Sequence, residues 1–178
     1  MRRPVIVACV IAITIACHRS TPAQRAQPFD RNAFITTTLQ SFLANNDLGA
    51  LAAHRGRLPE TRQLGATLHR EQKQLFAALS AIAQRKRIVI PQSTDEKKIA
   101  LKENLVTLPG QVFDRAYALA MLQDLNGAIG NFNAAASCGD RDIEAFAKQN
   151  LPLLVAEQRS AAALLNRAGG SPFGFVPP

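Results

Sequence analysis

The side chains able to do chemistry are few. Histidine occurs three times in 178 residues, as His18, His54 and His69. A carboxylate-bridged dinuclear metal site in a helical bundle takes a Glu from each of two helices and a Glu-x-x-His from each of the other two, because a three-residue step puts carboxylate and imidazole on one inward face. No Glu-x-x-His occurs here. His18 precedes the first helical segment, His54 lies beside a helix end and His69 is followed by Arg70, so each is expected to be a surface histidine. Nucleophilic catalysis has no better footing. There is no Gly-x-Ser-x-Gly turn and no glycine loop to cradle phosphate, and Cys138 has no histidine near it in sequence. These residues point to no catalytic group and no cofactor.

Cys17 is the exception. Met1-Arg2-Arg3 is a short basic start, and Pro4 to Ala16 is an uncharged apolar run of thirteen residues that ends at Cys17. A membrane-crossing helix needs about 20 apolar residues, and polar His18, Arg19 and Ser20 follow at once, so the run is expected to be a signal segment and not a span. Thr14-Ile15-Ala16-Cys17 resembles the lipobox of bacterial lipoproteins, with Thr14 where Leu is commoner; ordinary secretion and an uncleaved anchor are the alternatives. That resemblance implies a lipidated Cys17 as the new amino terminus. His18 in place of Asp after the cysteine implies the periplasmic face of the outer membrane. Several acyl chains on one residue anchor firmly, at about 0.8 kcal/mol per buried methylene. Cys9 leaves with the signal, so Cys138 remains without an intramolecular partner and is expected as a small apolar residue in a turn, with intermolecular pairing as the alternative.

These residues must be placed by helices. Apolar residues make up 47% and aromatics 6%, with no Trp, one Tyr and much Ala and Leu, a composition that favours close-packed helices over a sheet sandwich. Asp30 is a candidate N-cap for a helix to about His54, whose apolar side carries Phe34, Leu39, Phe42, Leu43, Leu48 and Leu51. Pro59 opens a second, in which Leu64, Leu68, Leu75, Leu79 and Ile82 repeat in helical steps. Ile88 to Pro91 reads as an extended connector, since a lone strand has no partner and Pro91 ends it. Ser93 or Thr94 is expected to cap a short helix to about Val106. A long helix carrying Phe113, Tyr117, Met121, Leu125 and Phe132 follows Pro109-Gly110 and ends near Cys138-Gly139. Asp140 recaps, and the last helix reaches Leu165 with Pro152 inside it, where a bend or break near Asn150 is expected.

Four long amphipathic helices and a short one predict an all-α fold, an antiparallel four-helix bundle with an additional short helix. The expected organisation is signal peptide 1–16, lipidated Cys and tether 17–29, bundle 30–167 and irregular tail 168–178, in which Phe173 or Phe175 could dock on the domain. Of the 21 basic residues, Arg2 and Arg3 fall in the signal, leaving 19 against 13 acidic. The excess is dispersed, and its one dense knot, Arg85-Lys86-Arg87, is expected to be a solvated helix terminus. Without interleaved aromatics or a binding motif, nucleic acid is excluded as a partner. The partners expected are the membrane through the lipid anchor and an envelope protein or polymer; oligomeric state is not encoded legibly.

LGALAAHRGRLPETRQLGATLHREQKQLFAAL, then VFDRAYALAMLQD and DIEAFAKQNLPLL, resemble the bacterial ferritin-like family of unknown function numbered 4142, over roughly Phe34 to Leu165. Phe113-Asp114-Arg115-Ala116-Tyr117 is the most specific stretch. The resemblance implies a ferritin-like bundle and no settled activity. Members carry Asp-His on the second helix, a second Asp-His after the Phe-Asp-Arg-Ala-Tyr stretch and a His on the last helix; here those histidines fall on Gln72, Leu125 and Glu157, while the acids persist as Glu71 and Asp124 and the first-helix acid appears as Asp47. Asp47, Glu71, Asp124 and Glu157 come from four helices and, facing one another, would form an all-oxygen metal site. The competing expectation is that they form surface ion pairs. Gln72, Asn150 and Gln158 lie nearer the apolar stripes and are expected to make a satisfied polar core layer that fixes helix register. The function this predicts is a non-enzymatic envelope lipoprotein that binds a partner; the alternative is a metal-binding or redox bundle using carboxylates, and stress protection without a defined ligand is a third.

Overall fold

The Asp30 carboxylate accepts from the Ala33 N–H at 3.0 Å, and the first helix, α1 (Arg31–Arg55), starts behind this cap. The computed structural model describes residues 29–169. Helix α2 (Pro59–Arg85) has proline at its first position, where the missing N–H would have had no intrahelical partner. Helix α3 (Glu96–Thr107) is capped by Asp95, which accepts from Lys98 N at 3.0 Å. Sequence logic favoured Ser93 or Thr94 for that cap. Thr94 instead donates its hydroxyl to Gln40 O on α1 at 3.2 Å, so a tertiary bond took the residue the local pattern had reserved. Helices α4 (Gly110–Ala135) and α5 (Arg141–Arg167) complete the set, with the Asp140 carboxylate accepting from Asp142 N and Ile143 N. No strand occurs among the described residues. The expected signal peptide 1–16, Cys17, residues 18–28 and residues 170–178 lie outside them.

α1 packs closely on α2 and α4 on α5, each pair joined by a short connection; α1 meets α4, and α2 meets α5, more sparsely. This is an antiparallel four-helix bundle, and α3 crosses its outside with one buried residue, Leu105. The α1–α2 approach is set by glycine. A Cβ on Gly65 would lie 2.5 Å from Ala53 N, and one on Gly49 2.7 Å from His69 N, so the two backbones touch where no side chain intervenes. Asn46 Nδ2 donates to His69 O beside that crossing, and His69 Nδ1 lies 3.1 Å from Asn46 O.

Pro152 does not break α5, which runs unbroken from Arg141 to Arg167. The proline faces solvent, where water can take the carbonyl it frees, while Phe146, Ala147 and Leu154 are buried on either side and hold the segment. Nor is the basic knot fully solvated. Lys86 Nζ is 2.7 Å from Asp140 Oδ2 and 3.5 Å from Asp142, and Arg85 is 3.8 Å from Asp142. The end of α2 is thereby fastened to the start of α5, and the Lys86 ammonium bonded to Asp140 holds its carboxyl below the usual range. Arg87, at φ 58°, takes the left-handed position that closes α2, with Ile88 N bonded to Ala83 O at 2.9 Å. Cys138 is free and half-buried in the α4–α5 turn.

Candidate functional site

Two polar centres lie within the bundle. In the first, Gln72 on α2, 1% exposed, donates its amide to both oxygens of Glu157 on α5, at 3.3 and 3.4 Å. Glu71, one residue before Gln72, lies close enough for its carboxylate to act on that of Glu157. Burial above all, then the neighbouring Glu71 carboxylate, push the Glu157 carboxyl up to about 8, so it keeps its proton at neutral pH. Tyr117 on α4 is fully buried with no partner for its hydroxyl among the described residues, and burial together with the Glu157 charge raises it as well.

In the second centre, Asn45 on α1 donates to Asp124 Oδ2 on α4 at 2.6 Å, and Lys98 on α3 closes on the other oxygen. Among the described residues Asn45 Oδ1 and Gln72 Oε1 have no partner, and a buried acceptor left without a donor costs on the order of 1–3 kcal/mol. Both residues line one cleft of about 170 Å³ between α1 and α4. Phe42, Leu125, Phe132 and Leu154 form its apolar wall, and Thr38, Ser41, Gln123 and Asn131 are among its other lining residues. Gly127 of α4 is exposed and lines the cleft, with nothing within 4 Å of where its Cβ would stand.

The four acids proposed from sequence as metal donors are not brought together. Asp47 sits on the exposed surface, 2.8 Å from Lys102 Nζ. Asp124 is held by Asn45 and Lys98; of the four, Glu71 and Glu157 are the two whose carboxylates act on each other. Among the described residues no group of three or more His, Cys, Asp and Glu side chains is placed to hold a metal ion. The donor set therefore does not fit a dinuclear iron centre: lysines occupy two of its carboxylates, and an amide and a leucine stand where imidazoles would be needed.

The expected polar layer also divides. Gln72 is in the interior; Asn150 is half-buried and donates to Phe146 O of its own helix at 2.8 Å, beside the gap that Pro152 leaves; Gln158 bonds Asn126 at 2.5 Å on the outer edge. Sequence reasoning passed over Asn45, although it stands three residues from Phe42 and three from Leu48 on the buried face of α1, a signal that was there to read. It also passed over Asp114. That carboxylate is fully buried on α4 and accepts from Arg57 N and Leu58 N, each at 3.0 Å, holding the α1–α2 connection whose own cap residue, Leu58, has no side-chain acceptor. Arg55 lies with its guanidinium carbon 5.8 Å from the Phe113 ring centre and donates to Val106 O and Leu108 O, fastening the end of α3 at the same corner.

A family model, described as Domain of unknown function (DUF4142), matches residues 17–164. The chain belongs to the DUF4142 family. A solved structure, a DUF305 fragment from Deinococcus radiodurans, superposes with a TM-score of 0.68 at 19% identity, covering 79% of this chain and 99% of that one. At that identity the likeness concerns the fold, the ferritin-like antiparallel bundle. No curated protein matches. In this DUF4142 chain, the Asp and Tyr of the Phe-Asp-Arg-Ala-Tyr stretch, Asp114 and Tyr117, are both fully buried, and the Asp fixes a loop.

Proposed function

We propose that this chain is a lipid-anchored envelope protein whose bundle is a non-enzymatic binding module, with the α1–α4 cleft as its binding site. The observation that carries the reading is the cleft. A four-helix bundle ordinarily closes its seams with side chains, and here an opening of about 170 Å³ runs inward to a buried glutamine whose carbonyl lacks a donor. The anchor rests on the apolar run ending at Cys17. None of the five described helices is long and apolar enough to cross a membrane.

Two measurements test this. Intact mass of the membrane fraction is expected to show an acylated amino-terminal Cys17, and Cys17→Ser is expected to release the chain; a mature form beginning elsewhere and unmodified would refute the anchor. Thermal-shift screening of small polar and amphipathic molecules is expected to give hits that vanish in Gly127→Phe, which fills the cleft from an exposed position. Hits indifferent to that change, or stoichiometric iron or manganese lost on Glu157→Gln, would replace the reading with another.

A further inference from the structure

We propose that the outer face of α4 is a docking surface for the chain's own last segment, residues 170–178, with Phe173 and Phe175 seated on a stripe made by Val112, Ala116 and Leu119. These three residues are spaced by four and then three, so they share one side of the helix, while Phe113, Tyr117, Ala118 and Met121 take the side buried in the bundle. With Arg115 they line a shallow notch of about 320 Å³. Val112 is 54% exposed, more than any other large apolar side chain in the described helices. An apolar stripe on the outside of a bundle gains by being covered. The notch is separate from the α1–α4 cleft and does not depend on the reading of that cleft.

The end of α5 selects the occupant. Ala168 is buried, and its carbonyl accepts from Gln111 Nε2 on α4 at 3.5 Å. Gly169, at φ 75°, turns the chain there, with its N–H bonded to Asn166 O at 3.2 Å, and a Cβ on it would stand 3.9 Å from the same Gln111 nitrogen. The chain therefore leaves its last helix against the residue that precedes Val112. Phe173 is four residues further on and Phe175 six, within reach of about 13 and 20 Å, whereas the stripe from Val112 to Leu119 is about 10 Å long.

The segment Gly-Ser-Pro-Phe-Gly-Phe-Val-Pro-Pro suits the stripe in kind as well as in length. It carries no charged side chain to desolvate. In an extended segment residues two apart point the same way, so Phe173 and Phe175 can both face α4 about 7 Å apart, close to the roughly 6 Å between Val112 and Ala116. Pro172 and Pro177 restrict the free chain and lower the entropy lost on docking. A second copy of the chain fits less well, because a stable interface needs on the order of 1,000 Å² and the stripe is two helical turns long.

The test uses the chain from residue 17, carrying Cys17→Ser so that it stays in solution. In a uniformly labelled sample, NOEs are expected from the Val112 and Leu119 methyls to the rings of Phe173 and Phe175, and a mixture of labelled and unlabelled chains should show none between chains. Chymotrypsin should cut after Phe173 and Phe175 at least tenfold more slowly in the parent than in Val112→Asp, a change at an exposed position in the first turn of α4, where a carboxylate suits the helix. Phe173→Ala with Phe175→Ala lies beyond the helices, and should shift the amide signals of Val112, Ala116 and Leu119 while leaving those of Asn45 and Gly127 in place. Equal cleavage of parent and Val112→Asp, or NOEs from both rings to another part of the bundle, overturns the proposal. NOEs found solely between chains assign the stripe to a second copy and overturn it as well.

Discussion

Replacing Asp114 by Ala removes the acceptor for Arg57 N and Leu58 N, and the structure sets the size of the effect. Each bond is 3.0 Å and charge-assisted, a class that contributes about 1.5–3 kcal/mol. Arg57 is exposed and Leu58 only half-buried, so water can replace part of what is lost, and a net cost of about 3 kcal/mol is expected. For a domain of this size 1 kcal/mol corresponds to about 3–4 °C in Tm, so Asp114→Ala should melt about 10 °C lower. Asp114→Asn retains one carbonyl acceptor and turns its amide towards the other N–H, and should lie roughly halfway between. The assay is thermal and urea unfolding followed by far-UV circular dichroism, with the urea slope unchanged. An Asp114→Ala variant melting within about 2 °C of the parent would mean that the loop is held by something else, and the reasoning would fail.

Two further outcomes follow from the core. Because Glu157 titrates near 8 in the fold and near 4.5 when unfolded, the folded chain keeps a proton that the unfolded chain releases; stability should be full below about pH 4.5, decline by on the order of a few kcal/mol up to about pH 8, and level off above it. Glu157→Gln, which mimics the protonated acid, should flatten that slope in urea titrations across pH, and an unchanged slope would assign the titration to another group. Gly65→Ala should destabilise by about 1–3 kcal/mol despite a better helix propensity, since its Cβ meets the α1 backbone, whereas Gly130→Ala, with nothing within 4 Å, should gain up to about 1 kcal/mol. If both variants shift the urea midpoint in the same direction, the close helix crossing is not what fixes Gly65.

The helices were legible because their causes are local. Asp30, Pro59 and Asp140 begin helices for reasons contained within a single turn, and leucines spaced by three and four define a buried face wherever the helix ends up. Gln72 was legible for the same reason, as a polar residue at a core spacing. The break that this local logic allowed at Pro152 does not occur, because burial on both sides of it outweighs one missing hydrogen bond. What only the tertiary structure decided is who meets whom. Asp47 and Asp124 could have faced Glu71 and Glu157, but α3 crosses the bundle and brings Lys102 and Lys98 to them. Asp114 reads in sequence as a charge on a helix and becomes a buried clamp because a loop more than fifty residues earlier passes over it. Sequence by itself therefore determined the helices and their apolar faces, through backbone and side-chain preferences that act within a few residues; pairing between charges, and the acceptors left over in the cleft, depend on distances that exist only once the helices have packed.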